Sequence, residues 1–87
     1  MRYRQNREIA WRRIEGEAIL FDTVAGMMRQ LNRAGGELWE ALEEERETGD
    51  LVHLLCAAFD VDPGRARTDV ETFLEAMVAR GLVESIA

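Results

Sequence analysis

The chain has 87 residues, 47% hydrophobic and 32% charged, which suits one domain with a modest core and argues against a disordered chain. Its formal net charge of -6 is unevenly placed: residues 1–14 carry five arginines against Glu8, net +4, and residues 15–87 carry six arginines against sixteen acids, net -10. An acidic body repels a nucleic-acid backbone, and no apolar run approaches the ~20 residues that span a bilayer.

In chain order, residues 1–8 read as a flexible basic N-terminus and residues 9–87 as the single domain. Met1 to Arg13 carries charges with no apolar core behind them, so no signal peptide is read and a cytoplasmic location is expected. Ile9 to Ile14, with β-branched and aromatic residues, reads as a strand. Glu15-Gly16-Glu17 is a turn, and Ala18 to Phe21 is the return strand of a hairpin. Asp22 to Gly26 connects to a third strand, Met27 to Leu31. Asn32 suits the cap of the helix that follows.

The first helix is expected over Glu37–Glu44, with Leu38, Trp39 and Leu42 on one face and Gly35-Gly36 as a flexible lead-in. Thr48 to Asp50 starts a second helix, with Asp50 favoured near its N-terminus. Its apolar residues, Leu51, Val52, Leu54, Leu55, Ala58 and Phe59, place it at the core. The third helix has Asp62 as N-cap, Pro63 at its first position and Gly81 as its stop. Leu82 to Ile86 has the pattern of a short last strand. Strands followed by helices make an α+β fold, with the helical part sized as a winged helix-turn-helix.

Catalytic chemistry is scarce. There is one histidine and one cysteine, one serine near the C-terminal end, and no lysine to serve as Schiff base or general base. His53 and Cys56 lie three apart on the second helix. As a nucleophile pair they are poor, because a thiol in apolar surroundings has a raised pKa. As two zinc ligands they lack marked companions, since structural sites need four ligands and catalytic sites three. The plainer reading is Cys56 as a small core residue and His53 at the solvent edge. Glu43-Glu44-Glu45 with Glu47 reads as a solvated charge run able to steer a basic partner. No enzyme activity, cofactor or metal is expected.

What remains is binding. A third strand at a sheet edge would offer unpaired backbone groups to an extended peptide. Met27 and Met28 suit varied partners, although one of them would serve the core if the strand alternates strictly.

Met28-Arg29-Gln30-Leu31-Asn32, then Leu38, Trp39 and Leu42, then Thr48, Phe59-Asp60, Asp69-Val70, Phe73-Leu74, Met77 and Gly81-Leu82-Val83 follow in a recognisable order. From about Trp11 to Val83 the chain resembles the PqqD family. The resemblance implies a three-stranded N-terminal antiparallel sheet packed on a three-helix bundle. It also implies a non-catalytic adaptor that binds the leader of a ribosomally made precursor peptide and presents it to a modifying enzyme such as a radical-SAM protein. The product would be the PQQ cofactor or another peptide natural product. In the family the leader adds to the third strand, in a groove beside the third helix. Carried over, the peptide-binding residues are Met27, Met28, Arg29, Gln30 and Leu31 with Arg67, Val70, Glu71, Leu74 and Met77. Val70, Phe73 and Leu74 would also serve the core, and Arg29 and Arg67 would meet acidic leader residues.

Two rivals stand beside this reading. A winged-helix DNA-binding or regulatory protein would use the third helix, but residues 65–80 carry Arg65, Arg67 and Arg80 against Asp69, Glu71 and Glu75, a net of zero. A homodimeric scaffold without a peptide ligand is the other, since small cores are often supported by a second copy.

Overall fold

The computed structural model describes residues 1–87. In order they form β1 (Arg2–Gln5), β2 (Ala10–Ile14), β3 (Glu17–Asp22), β4 (Met27–Leu31), α1 (Arg33–Ala41), β5 (Arg46–Glu47), α2 (Thr48–Ala58), α3 (Pro63–Ala79) and β6 (Val83–Ile86). The strands make two three-stranded antiparallel sheets, ordered β2-β3-β4 and β5-β1-β6. The fold is α+β, as expected, and the three expected strands form the first sheet.

That sheet is built from period-two alternation. On β3, Ala18, Leu20 and Asp22 are buried while the residues between them are half-buried, so one face meets the core and the other meets solvent. The register puts Trp11, Leu20 and Arg29 in one row and Ala18 beside Leu31. Trp11 stands edge-on to Trp39 of α1, centroids 6.2 Å apart with planes at 89°, the favoured perpendicular geometry of aromatic pairs. Trp39, Leu42, Leu51 and Val70 are fully buried, which sets the core between this sheet and the three helices.

The helix ends follow local chemistry. The Asn32 side chain accepts the Gly35 N–H at 2.7 Å and Asp62 accepts the Arg65 N–H at 3.1 Å, each satisfying a donor that the first turn leaves open. Asp50 accepts the Glu47 N–H at 2.9 Å at the start of α2. At the end of α3, Gly81 has φ +74°. The Leu82 N–H donates to the Met77 carbonyl and the Gly81 N–H to the Val78 carbonyl, both at 3.0 Å. This is a Schellman closure, in which glycine avoids the Cβ penalty of positive φ.

Two expectations are corrected. The first helix runs Arg33–Ala41 rather than Glu37–Glu44. Asn32 caps at once, so Gly35 and Gly36 lie inside the helix, with Gly36 buried against Ala18. The N-terminus is not a flexible arm over residues 1–8: Arg2–Gln5 form β1, between β5 and β6. Polar contacts hold it there. Gln5 is 6% exposed, its Nε2 donates to the Trp39 carbonyl at 2.8 Å, and its N–H donates to the Leu42 carbonyl at 2.7 Å. Arg4 pairs with Glu84 across the sheet at 3.0 Å. A strand reading Arg-Tyr-Arg-Gln has no apolar alternation to betray it.

Candidate functional site

β4 is an outer strand of its sheet, because β3 pairs with it on one side and no strand lies on the other. In an antiparallel pair, alternate residues turn their N–H and C=O groups away from the partner. β4 therefore offers a row of free backbone groups over Met27–Leu31.

Both ends of that edge open into depressions. At the β3–β4 turn, Phe21, Asp22, Thr23, Gly26, Met27 and Met28 line one of about 440 Å³. At the other end, Asn32, Ala34, Gly35 and Leu38 with Leu55 and the α3 residues Asp69, Thr72 and Phe73 line one of about 390 Å³. β2, the opposite edge of the same sheet, contributes no residue to any depression. Met27 and Met28 are 50% and 66% exposed, flexible thioethers at the turn end of the edge.

The turn is fixed by a buried carboxylate. Asp22 is 3% exposed. It accepts the Ala25 N–H at 3.0 Å and the Arg29 Nε at 2.9 Å. The Ala25 N–H first, and the Arg29 guanidinium next, hold this carboxyl below its ordinary value of 3.8 against the opposing effect of burial. Arg29 is half-buried on β4 and bonds Asp22 through Nε. Its two terminal nitrogens remain as donors at the edge.

The structure separates the expected site residues. Met27, Met28, Arg29, Gln30 and Leu31 occupy the free edge together. Val70, Leu74 and Met77 are 0%, 3% and 2% exposed and belong to the core. Glu71 and Leu74 line a cleft with Met1, Tyr3 and Ser85. By helical spacing Arg67 falls on the stripe Arg67, Glu71, Leu74, Val78 and is turned away from β4. Helical phase puts Arg67 and Glu71 on the flank of α3 opposite Asp69 and Phe73. On α3, the depression at the Asn32 end of β4 is lined by Asp69, Thr72 and Phe73. A Cβ at Gly35 would crowd the capping Asn32 Oδ1 at 3.2 Å, while Leu31 and Phe73 would lie at ordinary contact distance. The missed residues carried one signal. With Ala66, Val70 and Met77 taken as core, 3.6-residue phasing puts 69, 72 and 73 on one flank and 71, 75 and 78 on the other.

Other candidate chemistry stays dispersed. His53 is exposed and Cys56 half-buried, and no three His, Cys, Asp or Glu side chains gather in a metal-holding group. No helix is long and apolar enough to cross a membrane. On α3, Arg65 faces Asp69 at 3.8 Å.

A bare sheet edge with a depression at each end is a surface to which an extended peptide can add as a strand. The chain belongs to the PqqD family, whose model, described as coenzyme PQQ synthesis protein D, matches residues 17–83. Among solved structures it resembles TbiB1 in complex with the TbiA(beta) leader peptide, at 26% identity and a TM-score of 0.85, covering 97% of this chain and 98% of that one. It shares the fold of a lasso peptide synthetase B1 complexed with the leader peptide, at 19% identity and a TM-score of 0.81, covering 95% of this chain and 98% of that one. No curated protein sequence matches it.

Proposed function

We propose that this protein is a non-catalytic adaptor that binds the leader of a ribosomally made precursor peptide and presents it to the enzyme that modifies it. The observation that carries the reading is the β4 edge: free backbone groups over five residues, with a depression at each end. Family membership and the likeness to TbiB1, solved with a leader peptide, support it. The leader adds to β4 as an extended strand. Main-chain hydrogen bonds supply affinity, and alternate side chains enter the terminal depressions. The pocket at the turn takes an apolar side chain against Phe21, Met27 and Met28. Arg29, oriented by Asp22, meets a carboxylate on the same face of the added strand. The partner enzyme is a radical-SAM protein or another peptide-modifying enzyme, and the setting is cytoplasmic.

The test is a titration of labelled protein with a synthetic leader peptide, following backbone amides. Shifts along Met27–Leu31 and at Asp69–Phe73 are expected, and a scrambled leader should leave them still. Binding elsewhere contradicts the reading.

A further inference from the structure

α3 has a second open side, away from β4. Tyr3 and Ser85 are partners across β1 and β6. They share the sheet face on which Gln5 and Val83 are buried, so both turn toward α3. With Glu71, Leu74, Glu75 and Val78 they enclose a cleft of about 650 Å³, larger than either depression beside β4. It shares no residue with those depressions.

The lining has a definite chemistry. Leu74 and the 36%-exposed Val78 give an apolar floor, and the Tyr3 ring gives an aromatic wall. Glu71 and Glu75 stand one helical turn apart on the rim, and neither joins any of the eight ion pairs of the fold. Arg67, one turn before Glu71, makes no ion pair with it either. Unpaired carboxylates above an apolar and aromatic floor suit an arginine or lysine, whose stem lies on the floor while its head meets the carboxylates. β6 is also the outer strand of its sheet, so an extended segment beside Ser85 finds free backbone groups.

We propose that this cleft docks a partner protein that presents an arginine or lysine beside an apolar residue, and that it does so while β4 holds the leader. Charge complementarity favours that occupant: the body of the chain is acidic, and these two carboxylates lack an internal partner. An adaptor that hands over a peptide must touch two molecules at once, and the two sides of α3 provide two separate surfaces. That the partner is the enzyme acting on the peptide rests on the adaptor reading; the chemistry of the cleft does not.

The probe is a labelled seven-residue peptide alternating leucine and arginine, with a leucine–glutamate peptide as control. The arginine peptide should shift the amides of Tyr3, Glu71, Glu75 and Ser85, and bind more weakly as salt rises. The double variant Glu71→Gln, Glu75→Gln should bind it about tenfold more weakly, the size of two partly screened charge contacts. Val78→Arg, which puts a cation into the cleft, should weaken it too. Both variants should bind the leader as the parent does. Arginine-peptide shifts at β4, no shifts, or equal binding by the double variant overturn the proposal. So do cleft shifts that follow protein concentration without peptide, which would mark a second copy as the occupant. A leader that fails to move β4 overturns the adaptor reading instead and leaves the cleft result standing.

Discussion

The two sheets are built by opposite means. Sheet β2-β3-β4 is local: each strand pairs with its neighbour in sequence across a short turn, and apolar side chains on one face drive it onto the helices. Sheet β5-β1-β6 is non-local and largely polar, pairing Arg2 with Ile86 and Arg4 with Glu84. The first buries its inner face yet leaves β4 bare along one side. The second encloses β1 between two partners and ties both chain ends to α3. The division leaves the bare edge on the part of the molecule with local strand pairing, and sets the polar sheet against the opposite side of the helix.

The largest expected effect breaks the shared centre. Leu74→Ala removes a side chain that is 3% exposed and should cost ~2–5 kcal/mol of stability in chemical denaturation, as for other large-to-small core changes. The remaining folded protein should still bind leader. A loss of leader affinity with unchanged stability would return Leu74 to the groove.

Next is deletion of residues 1–5, which strips β1 from between its partners. Thermal melting should show a clear loss of stability, and leader affinity per folded molecule should hold within about twofold because the edge is untouched. Gln5→Ala is the gentler version: it leaves polar groups under the strand unmatched and should cost ~1–2 kcal/mol.

Asp22→Asn probes the first sheet alone. The folded pKa of Asp22 is lowered, so its carboxylate stabilises the fold fully above the unfolded value, and that contribution is lost as pH falls through the lowered folded value. The stability gap between parent and Asp22→Asn should therefore be present at neutral pH and close in acid below the ordinary 3.8. A gap that persists there would show that the carboxylate charge is not what holds the turn.

The contrast between the sheets also explains what the sequence disclosed. Strands β2 to β4 and helices α2 and α3 announce themselves through alternation, Asp62-Pro63 and Gly81, all of which are local signals. β1 was hidden because its inward residues are Tyr3 and Gln5, and only a buried amide reaching the Trp39 carbonyl gives it direction. β5 is two residues long and has no pattern to read. On the site, residues 27–31 read from the sequence as one strand, and they form β4. Family likeness names a helix beside that strand, whereas which flank of α3 lies toward it depends on helical phase against the core. Val70, Leu74 and Met77 fix that phase, leaving Asp69, Thr72 and Phe73 for the groove.

The central claim is that β4 accepts a peptide through its free backbone edge. Adjacent residues of β4 turn their N–H groups to opposite sides, so prolines at Met27 and Met28, whose side chains are both exposed, must differ in kind. The decisive measurement is leader affinity of Met27→Pro and Met28→Pro by calorimetry, with stability followed in parallel. One substitution should remove a bond to β3 and destabilise the fold. The other should leave stability nearly unchanged and weaken leader binding by about tenfold or more, as expected when an outward donor is lost and its peptide acceptor goes unpaired. If both variants that remain folded bind the leader as the parent does, the peptide does not add to β4.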